Sequence, residues 1–310
     1  MASIENIGET LRDSKQPLKE RFRALFTLRN LGGNDAVDQI TSCFNDESAL
    51  LKHELAFCLG QMQNSHAIPK LIEVLEDKSE NIMVRHEAGE ALGAIGDITA
   101  MDVLAEYCED PVTEVAETCQ LAVCRLQWLA EKAKVENDLP DNPYFSVDPA
   151  PPAKTGDVGE LKTTLLDENL PLFQRYRAMF TLRNMGSNPA VLALAEGLKC
   201  SSALFRHEIA YVLGQIQSDA CLDQLYENLK DAQESPMVRH ECAEALGSIA
   251  TPKASKMLEN YLKDPERVVR ESCIIALDMS EYENGEDFQY ANTFSKLKNT
   301  DPNDGAQPVM

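Results

Sequence analysis

The strongest constraint on this chain is that it is written twice. Residues 21–32 read RFRALFTLRNLG, and residues 175–186 read RYRAMFTLRNMG, an offset of 154 positions (21 to 175). The same offset carries His53 to His207 and His86 to His240. An in-register copy of this length requires two halves of one architecture. A shorter period runs inside each half: His53 and His86 lie 33 positions apart, as do His207 and His240.

Each 33-residue unit reads as two helices. HAIPKLIEVLED is followed by the polar break KSENIM and then by VRHEAGEALGAIG, where Ala88, Ala91, Leu92 and Ile95 share one helical face. The small residues Ala88, Gly89, Ala91 and Gly93 let neighbouring helices approach closely. No long alternating run of β-branched residues competes, so the expected fold is all-α. Paired helices of this period, with the frame A-L-G-x-I-G, resemble HEAT-type repeats, which stack into a curved solenoid. The expected architecture is two pseudo-symmetric halves of four helix pairs each, residues 1–130 and 158–285. Between them, 131–157 reads as a linker, because ENDLPDNPYFSVDPAPPAKTGDVG is rich in Pro, Asp and Asn. Residues 286–310 form a C-terminal tail.

The bulk composition removes several function classes. A net charge of -22 repels nucleic acid and favours a cationic partner, although most of these carboxylates are expected simply to solvate helix faces. No apolar run reaches the roughly 20 residues of a membrane span, and the first residues lack a signal-peptide core. A cytoplasmic, monomeric protein is the expectation. Nine cysteines are scattered with no Cys-x-x-Cys and read as small core residues in a reducing compartment.

Only five histidines occur, and four of them precede a glutamate: His53-Glu54, His86-Glu87, His207-Glu208 and His240-Glu241. His66 alone stands outside the pattern. A single such pair reads most simply as a structural helix feature, glutamate being favoured near a helix start. Stacking alone does not explain why the pairs are confined to the inner two repeats of each half. The outer repeats carry Phe22 and Tyr176, or Glu117 and Glu271, near that slot. Adjacent helix axes lie about 8–10 Å apart, so equivalent imidazoles can converge. The donor set suits iron, manganese or zinc, and two ions, each with two His and one carboxylate, would use four His and two Glu. Two glutamates are then spare, either Glu54 with Glu208 or Glu87 with Glu241, and spacing does not choose between them. Glu90 and Glu244, four residues after His86 and His240, are candidates to orient an imidazole.

Four His-Glu pairs, two in each half of a duplicated eight-repeat solenoid, with HELAFCLGQM and HEIAYVLGQI as their frames, resemble the deoxyhypusine hydroxylase family over residues 10–285. The resemblance implies a non-haem di-iron monooxygenase with two ferrous ions per chain, dioxygen as co-substrate and an external reductant. It implies as substrate a translation initiation factor carrying deoxyhypusine, and as product hypusine. It also implies His53, Glu54, His86, His207, Glu208 and His240 as metal ligands and Glu87 and Glu241 as substrate-binding residues. Two other readings use the same residues: a non-catalytic HEAT scaffold gripping a basic partner, and a dinuclear zinc or manganese hydrolase. With a flexible linker between the halves, a shared metal is expected to be what holds them in register.

Overall fold

The computed structural model describes residues 3–132, 142–286 and 290. Among these residues the regular structure is helical, with sixteen α-helices and no strand. The helices pair along the chain. In the first half the pairs are α1 (Ile4–Arg12) with α2 (Leu18–Leu31), α3 (Gly33–Thr41) with α4 (Ala49–Met62), α5 (Ile68–Glu76) with α6 (Ile82–Ile95), and α7 (Met101–Tyr107) with α8 (Thr113–Lys132). The second half repeats them as α9 (Val158–Leu166) with α10 (Leu172–Met185), α11 (Asn188–Glu196) with α12 (Ala203–Ile216), α13 (Leu222–Lys230) with α14 (Pro236–Ile249), and α15 (Pro252–Glu259) with α16 (Arg267–Glu283). No helix among the described residues is long and apolar enough to cross a membrane.

Burial separates the helices into two layers. The odd-numbered helices bury one face; in α5 it is Ile68, Leu71, Val74 and Leu75. The second helices of the inner repeats are buried almost all round, and α6 is buried continuously from Met83 to Gly89 and again from Ala91 to Ile95. A helix without a solvent face must sit inside. Glycine permits the inner layer to close up: a Cβ on Gly60 would stand 2.8 Å from Ala91 Cα, and one on Gly247 would stand 2.7 Å from Ala276 Cα. These glycines are where α4 meets α6 and α14 meets α16.

An arginine in each of four even-numbered helices ties it to the outer layer. Arg21, Arg85, Arg175 and Arg239 donate through Nε to the carbonyls of Leu11, Leu75, Leu165 and Leu229 at 2.8–2.9 Å, satisfying carbonyls at the ends of the outer helices. Three of these guanidinium groups continue to an aspartate of the following turn, Asp46, Asp110 and Asp264. At the fourth, the copy of Asp46 is Cys200, whose sulfur lies 3.1 Å from Arg175 Nη2.

The even-numbered helices close into a ring, because α16 packs back on α2 and α4 while α8 packs on α10 and α12. Two seams result, and the duplication makes them equivalent. At one, Ser48 Oγ, which caps α4, donates to Glu271 at 2.6 Å; at the other, Ser202 Oγ, which caps α12, donates to Glu117 at 2.7 Å. The Pro-rich segment does not behave as a free tether in its first described part, residues 142–153. Gln61 of α4 exchanges two hydrogen bonds with the backbone of Val147, and Arg125 of α8 donates to the Asp148 carbonyl at 2.6 Å. Arg183 of α10 grips both carboxylate oxygens of Asp148 at 2.7 and 2.8 Å. The segment therefore straps both halves together, so it is not the free tether expected and metal is not the sole link that could hold them in register. A Pro-rich composition reports a lack of regular structure; it does not report a lack of tertiary bonds.

Candidate metal centre

The four histidines are each the fifth residue of their helices: His53 on α4, His86 on α6, His207 on α12 and His240 on α14. Equal depth on two neighbouring pairs, α4 with α6 and α12 with α14, brings the imidazoles to one point inside the ring. The ring centroids of His53 lie 5.6, 5.8 and 5.0 Å from those of His86, His207 and His240, and His207 lies 5.2 Å from both His86 and His240. All four are buried, His86 and His240 completely.

Buried polar atoms are normally hydrogen-bonded. Here both ring nitrogens of His53 and His207, and Nε2 of His86 and His240, have no hydrogen-bond partner. Each neutral imidazole offers one lone pair, and four such groups with unbonded ring nitrogens facing one another fit a bound cation. Three potential ligand groups follow from atom separations among the described residues: His53, His86 and Glu87; His53, His207 and His240; and His240, Glu241 and Glu244. Glu87 Oε2 is 3.2 Å from His53 Nε2 and 3.8 Å from His86 Nε2. The copy is closely similar, with Glu241 Oε2 3.4 Å from His207 Nε2 and 3.9 Å from His240 Nε2. Glu208 comes no nearer than 3.9 Å, to Nδ1 of its own neighbour His207, and its Oε2 is unbonded. Glu54 is buried beside His53 and lines the adjoining cavity.

The electrostatics call for positive charge. Burial, followed by repulsion among carboxylates, pushes Glu54 up to about 8, and burial with Glu241 nearby does the same for Glu87. Burial raises Glu90, Glu208, Glu241 and Glu244 as well. Burial and neighbouring imidazoles pull His86 and His240 well below their ordinary value, and burial with His53 pulls His207 down to about 3. Without a cation the cluster is driven toward neutral acids and neutral bases; divalent ions favour the carboxylates and use the neutral imidazoles as they stand.

Residues outside the His-Glu frames complete the site. Glu244 Oε1 lies 3.4 Å from His240 Nδ1 and accepts from Ser272 Oγ at 3.4 Å. In the first half the copy of Ser272 is Thr118, and its hydroxyl, rather than Glu90, reaches His86 Nδ1 at 3.4 Å. The offset of 154 relates Thr118 to Ser272, and it is the only signal in the sequence that points to them. A cavity of about 330 Å³ adjoins the centre and is lined by Glu54, Glu87, Glu208 and Glu241 together with Phe57 and Tyr211. His66, outside the pattern, is half-exposed on a surface turn and pairs with Asp38 at 2.7 Å.

Comparisons with known proteins agree with this construction. HEAT repeats match residues 37–123 and 175–278. Deoxyhypusine hydroxylase of Rattus norvegicus is 62% identical over 295 residues, covering 95% of this chain and 97% of that protein. The Homo sapiens enzyme of the same name is 60% identical with the same coverage. A solved structure of human deoxyhypusine hydroxylase in complex with glycerol superposes with a TM-score of 0.88 at 61% identity, covering 90% of this chain and 96% of that one. A duplicated HEAT ring with four inward His-Glu pairs, matched end to end at such identity, places this chain in the deoxyhypusine hydroxylase family.

Proposed function

We propose that this hydroxylase holds two ferrous ions between its halves and uses dioxygen to hydroxylate the deoxyhypusine side chain of a translation initiation factor. Membership in the family makes the activity the hydroxylation of deoxyhypusine, the step that completes hypusine, and displaces the scaffold and hydrolase readings. The observation that carries the iron reading is the set of four buried imidazoles, two from each half, whose unpaired nitrogens face one another.

The four histidines would hold the metal. For the carboxylates, the separations favour Glu87 and Glu241 as ligands, since these approach two imidazole nitrogens each. That reverses the division implied by resemblance alone and frees Glu54 and Glu208 to face the substrate. Deoxyhypusine carries two amines that are cationic at neutral pH, and a carboxylate at each can fix which methylene is presented. When bound, the iron pair supplies oxygen activation, with one oxygen entering a C–H bond and the other leaving as water at the expense of two electrons from an external reductant. The protein's share is to keep the cavity dry with Phe57 and Tyr211 and to hold the amines in place.

Metal analysis of protein purified without added metal tests the reading: about two irons per chain with visible absorption are expected from two His-carboxylate sets, and colourless zinc would contradict it. His53→Ala and His240→Ala should each remove metal and activity together. Side-by-side measurement of metal content and substrate affinity decides the glutamates. Glu87→Gln and Glu241→Gln are expected to lose metal, while Glu54→Gln and Glu208→Gln keep it and bind substrate about tenfold or more weakly. The opposite pattern would restore the division given by the resemblance.

A further inference from the structure

The cavity beside the centre breaks the duplication. On one side it is lined by Phe26, Ser248, Ile275 and Met279. Their copies, Phe180, Ala94, Leu121 and Arg125, are buried and do not line it. On that side the wall is the strap itself, Val147 to Pro149. The reason is visible in the bonds. Arg125, the copy of Met279, is turned onto the Gly93 and Asp148 carbonyls, and Arg183, the copy of Arg29, is fully buried against Asp148. Arg29 is half-buried and stacks on Phe26 instead. Among the described residues, Phe26, Ser248 and Met279 remain half-buried at this rim, with Tyr290 edge-on to Phe26.

We infer that the strap blocks one of two approaches that the duplication would otherwise make equivalent, so the substrate's cationic arm reaches the centre only past Met279, between α16 and α2. This rests on the His-Glu centre being the hydroxylation site. A two-fold centre with two open mouths would present the substrate in two opposed directions. The strap leaves one, and so makes the paired glutamates unequal: the arm enters from one side and its far amine is met on the other. Met279 and Ser248 then govern access without touching the metal.

The test uses charge sign at the rim and on the strap. In the metal-loaded enzyme, Met279→Arg is expected to raise KM for a peptide bearing deoxyhypusine by about tenfold or more, whereas Met279→Glu leaves it within about threefold, because only the former repels a cation. Phe145→Arg, on the solvent face of the strap where Phe145 is 97% exposed, is expected to leave KM within about twofold. Ser248→Arg and Ser248→Glu repeat the arms at the same rim should Met279 variants fold poorly. Equal effects of Arg and Glu at the rim, or a larger effect of Phe145→Arg than of the rim arginines, would overturn the inference. Metal content and turnover of the unaltered enzyme report on the site reading separately: their absence would sink that reading and the choice of mouth with it, whereas metal and turnover intact with equal effects of Arg and Glu at the rim would sink the choice of mouth alone.

Discussion

The two seams of the ring began as copies and now hold together by different means. Where α8 meets α10, residues 142–153 lie across the seam as the strap, and Arg125, Arg183 and Gln61 bind its backbone and its Asp148 carboxylate. Where α16 meets α2, the described residues place only Tyr290 over the seam. Arg23, the copy of Arg177, reaches Asp278 of α16 at 3.0 Å, while Tyr290 donates its hydroxyl to the same carboxylate at 2.9 Å and lies edge-on to Phe26. Arg177 turns instead to the carbonyls of Pro151 and Pro152. The two copies of this surface therefore keep Arg23 and Arg177, and Phe26 and Phe180, but differ in what lies over them. The strapped seam is held by bonds to the strap, and the other by Arg23, Tyr290 and Asp278.

The largest expected difference is between Arg183→Ala and Arg29→Ala. The former leaves the Asp148 carboxylate without its cation, with only the Ser146 hydroxyl and the Asn142 amide as side-chain donors, and should cost about 3 kcal/mol; the latter removes a half-buried side chain and should stay within about 0.5 kcal/mol. Urea denaturation of both variants measures this, and equal losses would mean that the seams are not differentiated in energy. Next, Asp278→Asn should weaken the unstrapped seam by about 2 kcal/mol, since it replaces the charged acceptor shared by Arg23 and Tyr290. Hydrogen exchange should then accelerate in α2 and α16 before α8 and α10; uniform acceleration would refute the separate seams.

A smaller effect sharpens the comparison between halves. Arg239 binds both oxygens of Asp264, but Arg175 finds only the Cys200 sulfur. Burial alone would raise the Asp264 carboxyl; the guanidinium and the Glu266 amide outweigh it, so its pKa is lowered. Stability from such a group is present above the unfolded carboxyl value of about 3.9 and lost as pH falls through the lower folded value. Cys200→Asp should restore the ion pair and add about 1 kcal/mol at neutral pH, a gain that disappears on acidification below that range. A gain persisting at pH 2 would point to packing instead. The smallest contrast is Ser48→Ala against Ser202→Ala. Each removes a helix cap and a bond across its seam, so losses of about 1 kcal/mol apiece are expected in thermal melts; a twofold disparity would show that the caps, too, have diverged.

Much of this molecule was fixed by sequence alone, for a physical reason. A period near 33 with small residues in the second helix leaves stacked helix pairs as the one way to bury both faces, and identical register then puts His53, His86, His207 and His240 at one depth. What periodicity cannot contain is information about closure. That α16 returns to α2, that an irregular segment binds Gln61 and Arg183, and that Glu87 approaches two imidazoles while Glu54 does not, all depend on side-chain directions between residues far apart in the chain. Spacing along one helix sets which residues share a layer; only the packing of helices against one another decides which atoms within that layer meet, and so which approach to the centre stays open.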